Sequence, residues 1–373
     1  MRIALFCHTL LSDWNHGNAH FLRGLVTELV SRGHDVRVWE PHDAWSLENL
    51  VRDHGEAPLA AVKGVYPALD CNRYDLRGLD LDAAVGNADV VIVHEWNDHE
   101  LVRRIGEAKA RFGYTLLFHD THHRSVTESE AMARYDLHHY DAVLAFGAVI
   151  RDLYLQHRWA KRAFVFHEAA DARVFVPRPE IEKEIDLVWI GNWGDDEREE
   201  ELHEFLLGPV KRLGLRARVH GVRYPERALS ALHEAGVEYG GWLPNYRVPE
   251  AFAKARVTVH VPRRPYAERL TGIPTIRPFE AMACGIPLVS APWRDTEGLF
   301  RRSQDFVVAQ NGAEMCAHLQ RILSDSAFAD SLVRSARERV LSRHTCAHRA
   351  DELLAIVDRI RREQRAPLET QPV

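Results

Sequence analysis

The chain has 373 residues, 46% of them apolar and 27% charged, a globular balance that excludes an intrinsically disordered chain and is long enough for two domains of roughly 150–190 residues. No stretch approaches about 18 consecutive apolar residues, which excludes a membrane-spanning helix. The net charge of −6 argues against nonspecific grip on nucleic acid or an anionic membrane, both of which call for a basic surface.

The N-terminus opens directly as a strand over Ile3–Cys7, without a long apolar export segment. The polar loop Ser12–Asn18 follows. Apolar positions Phe21, Leu22, Leu25, Leu29 and Val30 then predict a helix over Ala19–Arg32, stopped by Gly33. Asp35–Trp39 is the next strand, which completes a βαβ unit. Further strands are predicted at Asp89–Val93, Thr115–Phe118 and Asp141–Phe146, with a helix over Leu101–Phe112. Asp80 is read as a helix cap. Polar residues gather after the strands, in His94–Asp98 and His119–Arg124, where open α/β sheets bind ligands.

A second series begins near residue 185. Strands are predicted at Asp186–Ile190, Arg216–His220, Arg256–Val261 and Pro287–Ser290. Helices are predicted at Asp196–Leu213, Pro225–Ala235, Phe279–Cys284, Gly312–Asp325, Ser326–Ser342 and Cys346–Arg362, with a frayed tail from Gln364. The pattern predicts an α/β protein of two Rossmann-like domains, parallel sheets facing a central cleft. The expected N-terminal domain covers 1–168 and the linker 169–184. The C-terminal domain covers 185–349, with the last helix, about 350–365, packing back on the first domain.

The five cysteines are scattered and odd in number. They predict a reduced, cytoplasmic setting without disulfides or structural zinc. His119, His122 and His123 with Asp120 invite a metal, but no distant ligand has matching spacing, and none is expected. In Thr271–Ser290 a loop of Gly, Pro and Thr feeds a short helix with Glu280 in its expected first turn. Such a start suits a diphosphate. Glu280 itself reads equally as a ribose-binding carboxylate or as a plain helix acid.

The stretch Phe279-Glu280-Ala281-Met282-Ala283-Cys284-Gly285-Ile286-Pro287-Leu288-Val289 resembles the nucleotide-sugar signature of family-4 type GT-B glycosyltransferases. Gly272–Trp293, with Arg343–Arg349, resembles their spore-maturation, CgeB-like branch. The resemblance implies that Glu280 holds the donor ribose and that Thr275 and Ile276 contact the diphosphate or sugar. The family's sugar-touching Glu is replaced here by Gly272, with Glu268 a stand-in on the same loop. The family's basic pair is missing from Gly191–Arg198, so Arg263, Arg264 and Arg277, with Arg198 behind them, are expected to neutralise the diphosphate. Trp242 and Leu243 fall at the nucleobase pocket, and Asp171 at the interdomain hinge. In the N-terminal half His119 is expected to face the donor sugar, and Asp120 to orient the acceptor or act as base. His16, Gly17, Asn18 and Glu95 are expected to line the cleft.

The implied activity is transfer of a sugar from a nucleoside-diphosphate sugar, UDP favoured, to an unidentified acceptor. The resemblance implies a hexosyltransferase that retains anomeric configuration. With Arg side chains and helix N-termini to neutralise the leaving group and no Asp-x-Asp clamp after an apolar strand, it is expected to be metal-independent and to use no cofactor beyond the nucleotide sugar. Neither nucleic acid nor a membrane span is expected as a partner. Two other readings stay open: a nucleotide-sugar epimerase or hydrolase, and a module that binds a nucleotide sugar without turnover.

Overall fold

The computed structural model describes residues 1–365, so the part of the expected frayed tail beyond Arg365 lies outside the described residues. The N-terminal lobe carries seven strands: β1 (Arg2–Phe6), β2 (Asp35–Pro41), β3 (Cys71–Tyr74), β4 (Val90–His94), β5 (Thr115–Asp120), β6 (Ala142–Ala145) and β7 (Ala163–Val165). They form one sheet in the order β3-β2-β1-β4-β5-β6-β7, and every pairing is parallel. Its helices are α1 (Ala19–Ser31), α2 (Trp45–His54), α3 (Ala57–Val65), α4 (Leu81–Val85), α5 (His99–Phe112), α6 (Arg124–Thr127), α7 (Ser129–Ala133) and α8 (Ala148–Gln156).

The second sheet holds β8 (Ile185–Ile190), β9 (Ala217–His220), β10 (Val237–Tyr239), β11 (Ala255–His260), β12 (Leu288–Ser290) and β13 (Val307–Val308). It is also parallel, in the order β10-β9-β8-β11-β12-β13. Its helices are α9 (Glu199–Leu202), α10 (Gly208–Leu213), α11 (Glu226–Glu234), α12 (Val248–Lys254), α13 (Ile276–Cys284), α14 (Gly312–Ser324) and α15 (Ser326–Arg343). The last helix, α16 (Cys346–Arg365), packs on α1 and β5 of the first lobe.

Both faces of the first sheet are buried, as parallel sheets demand. Ile3, Leu5, Ile92 and Leu117 face one core, with Leu22 and Leu25 of α1 and Leu353 and Val357 of α16. Ala4, Phe6, Val91 and Phe118 face the other, with Leu101 and Ile105 of α5. This alternation, with a period of two, decides where each residue of β5 points.

The long charged helix expected over Asp196–Leu213 is broken into α9, a π-turn at His203–Leu207, and α10. Pro209 is the cause: it has no N–H to give to the preceding turn, and the backbone widens to accommodate it. The helix with Glu280 starts earlier than expected, at Ile276, so Glu280 lies in its second turn. Pro278 sits at the third helical position, where a missing N–H costs no intrahelical bond. Asp80 does cap α4, its side chain accepting from the Ala83 amide.

The chain crosses between lobes twice, once after β7 and once between α15 and α16. The two crossings bond to each other: the Ala170 amide donates to the His344 carbonyl at 3.0 Å, and the Cys346 amide to the Ala170 carbonyl at 2.9 Å.

Candidate active site

The two sheets point the C-terminal ends of their strands at a shared cavity of about 810 Å³, a size suited to one small-molecule ligand. The N-terminal lobe contributes the loop after β1, the start of α2 and the turn after β5. The C-terminal lobe contributes the ends of β8, β9 and β11, the loop around Trp242, and the start of α13.

The sequence expectations divide cleanly. His16, Gly17, Asn18, Trp242, Leu243, Arg263, Thr275, Ile276 and Arg277 line the cavity. His119, Asp120, Glu95, Gly272 and Glu280 do not. β5 runs two residues further than expected, so His119 and Asp120 are still strand residues, paired with His94 and Ala145. His119 points to the α1 face, between Phe21 and Phe166. Burial drives its pKa down to about 3, and its Nε2 has no partner. Asp120 points to the opposite face, accepting from the Tyr154 hydroxyl at 2.9 Å and the His122 amide at 3.1 Å. Burial lifts its carboxyl to about 6, against those hydrogen bonds. Glu95 is fully buried, and Arg124 donates to it at 3.4 Å. The cavity begins one residue later, at Thr121, His122 and His123.

Glu280 lies where the lobes meet, but both oxygens are occupied. One accepts from Asn245 Nδ2 at 3.0 Å and lies 2.6 Å from His20 Nδ1 of α1; the other pairs with Arg277. Burial opposes its ionisation, yet Arg277, His20 and Asn245 outweigh it and hold the carboxyl below its ordinary range. Its direct service is to fix Arg277 and Asn245, which do line the cavity. The expected grip on a ribose is therefore not what this geometry presents.

Gly272 has no room for a carboxylate. Its φ is +94°, and an added Cβ would meet Glu297 Oε1 and Thr296 Oγ1 at 2.8 Å. Glu268, the expected stand-in, does not line the cavity. Arg264 is turned away as well, paired with Glu200 and Glu201.

Arg198, Arg263 and Arg277 do converge on the cavity. Arg198 donates to the Asn192 side chain at 2.8 Å and the Val261 carbonyl at 3.1 Å. Burial, and then Arg263, depress its pKa to about 9. Arg263 donates to Asn192 Oδ1 at 3.0 Å and to Glu197 at 2.6 Å. Between them and Arg277 lies His260, which burial keeps neutral with a pKa of about 3. Thr275, at the N-cap of α13, has φ +59°, and no side chain caps the helix. A β-branched residue in that region is strained, and strain of this kind clusters at ligand sites.

Asp13 ties the first loop to the second lobe. It accepts from Arg23 at 2.8 Å, from Trp242 Nε1 at 3.2 Å and from the Asn245 amide at 3.1 Å. The sequence reading missed Trp45 and Asn49, because α2 was not expected, and missed His220 and His260 as lining residues. Both histidines end strands, and the rule that ligands sit at strand C-termini would have found them. Among the described residues no cluster of His, Cys, Asp and Glu is arranged to hold a metal ion, and no helix is long and apolar enough to cross a membrane.

Residues 198–355 match the family described as glycosyl transferase-like. No curated protein matches the sequence. Among solved structures, a sucrose-phosphate synthase from Thermosynechococcus elongatus superimposes with a TM-score of 0.68 at 15% identity, over 97% of this chain and 100% of that one. HepE from Anabaena, in complex with UDP, gives 0.67 at 12% identity, over 96% and 100%. An α-glucosyltransferase, in complex with UDP and a 13-mer DNA, gives 0.66 at 13%, over 96% and 99%. At these identities the likeness is one of fold. Two Rossmann-like lobes around one cavity give the chain the GT-B fold, and its C-terminal lobe carries the glycosyl transferase-like match.

Proposed function

We propose that the interlobe cavity binds a nucleoside-diphosphate sugar, with UDP as the nucleotide, and that the sugar passes to an acceptor held on the N-terminal side. The observation that carries this reading is the convergence of Arg198, Arg263 and Arg277 beside the uncapped start of α13. A diphosphate in a dry cleft needs charge-assisted donors, and guanidinium groups with helix amides supply them.

In the transfer, the bond between the anomeric carbon and the β-phosphate oxygen breaks, and a bond to the acceptor oxygen or nitrogen forms. The acceptor's proton leaves for solvent or the departing diphosphate. The three guanidinium groups take up the leaving-group charge. This reading gives no step to a divalent ion, so transfer is expected to survive a chelator. It carries retention of configuration from the sequence resemblance, and NMR of the product anomer tests that point. Trp45, Trp96 and His122 on the N-terminal wall offer flat faces to the acceptor.

Calorimetry with UDP, GDP, TDP and ADP tests the nucleotide assignment. UDP is expected to bind tightest. Binding of an adenine or guanine nucleotide alone would overturn it.

A further inference from the structure

Among the described residues four carboxylates line the cavity, and three are engaged. Asp13 has the three partners already described. Glu197 pairs with Arg263 at 2.6 Å, and Glu128 with Arg124 at 3.1 Å. Glu168 is the exception. It is 2% exposed, yet it makes no hydrogen bond or ion pair among the described residues, and its Oε1 is wholly buried. Leaving a buried polar group unpaired is costly, a cost a ligand would remove.

Its position is specific. Glu168 lies in the crossing between β7 and β8, where the lobes join. Its charged neighbours are Glu280 and Arg277, both on α13. It therefore sits on the cavity wall close to the helix start assigned to the diphosphate. Burial, reinforced by Glu280 and opposed by Arg277, pushes its carboxyl up to about 8. Near neutrality it is mostly the acid, which can donate one hydrogen bond and accept another.

Among the described residues no other cavity-lining carboxyl is free for this task. Gly272 cannot carry one, for the reason given above. The carboxylate crowding that glycine, Glu297, lies 3.1 Å from His167 Nε2 and accepts from the Ala148 amide at 2.9 Å.

We propose that Glu168 binds the transferred sugar through one of its hydroxyl groups and so helps select the donor. The proposal rests on the donor reading above. Calorimetry with UDP, UDP-glucose, UDP-galactose and UDP-N-acetylglucosamine tests it, on wild type, Glu168→Ala and Glu168→Gln. Wild type is expected to bind one of the sugar nucleotides more tightly than UDP. In Glu168→Ala the affinity for UDP should hold within about twofold, while that sugar nucleotide weakens about tenfold, the value of one good hydrogen bond. Glu168→Gln should keep most of the preference, because an amide also donates and accepts. Equal weakening of UDP and UDP-sugar in Glu168→Ala, or a preserved or absent sugar preference in wild type and Glu168→Ala alike, overturns this proposal alone. Failure of UDP to bind wild type overturns the donor reading beneath it.

Discussion

His20 and Glu280 meet across the lobes at 2.6 Å, and the partners of His20 fix where its proton lies. The Asp171 amide donates to His20 Nε2 at 2.9 Å, so Nδ1 carries the hydrogen and donates to Glu280. The ring is stacked 3.7 Å from Phe175. One imidazole thus joins α1, the interlobe crossing and α13.

Replacing His20 by Ala should cost about 1–3 kcal/mol, since it leaves a buried carboxylate short of a donor. Because the Glu280 carboxyl is held below its ordinary value of 4.5 in the fold, its stabilisation is fully present above that value. It is lost as the pH falls through the lowered one. Urea unfolding of wild type and His20→Ala at pH 7 and at about pH 3 checks both points.

Glu168 has the opposite sign. Its pKa is raised to about 8 from 4.5, so the native state holds a proton that the unfolded chain releases. Stability from this site is greatest below 4.5 and declines as the pH rises towards 8. Glu280 and Arg277 face it from α13, Tyr266 is coupled to it, and His167 is its chain neighbour. Glu168→Gln should therefore gain on wild type with rising pH. Melting temperatures at pH 5, 6, 7 and 8 should show the gap widening by several degrees.

Arg263→Ala should weaken UDP binding about tenfold or more, by removing a charge-assisted contact and leaving Glu197 facing the cavity. Arg263→Lys should restore only part of the affinity, because an ammonium cannot span Asn192 and Glu197 as the guanidinium fork does. Titration calorimetry reads both.

His119→Leu should leave turnover within about threefold of wild type and stability little changed, because the ring is buried with an unpartnered nitrogen in largely apolar surroundings. A large loss of transfer with normal folding would return His119 to the reaction.

Gly221→Ala should destabilise by roughly 1–3 kcal/mol through overpacking. The new methyl would collide with the Gly191 carbonyl, and both glycines line the cavity. Thermal melts and UDP affinity should fall together.

The strands buried on both faces were plain in the sequence, because runs such as Val90–Val93 read as continuous apolar stretches. The edge strands β3, β10 and β13 were not. Cys71-Asn72-Arg73-Tyr74 has no apolar run, and β10 and β13 are three and two residues long. Arg198, Arg263 and Arg277 of the cavity's cationic wall were expected from the motif resemblance, whereas Arg264, expected with them, is turned away. His119 and Asp120 fall in the core rather than on the cavity wall because sequence does not show where a strand ends, and a two-residue error moves a side chain from one to the other. Glu280 was placed between the lobes, but nothing in the local motif announced His20, 260 residues away along the chain.

The paired crossings at Ala170 and Thr345 have a mechanical consequence. Two strands of backbone stitched together at one spot behave like a pin: one lobe can swing relative to the other about that point, while sliding would tear both stitches. Any widening of the mouth to admit a donor must therefore be a rotation about the pin, with almost no travel at Glu168, two residues from Ala170.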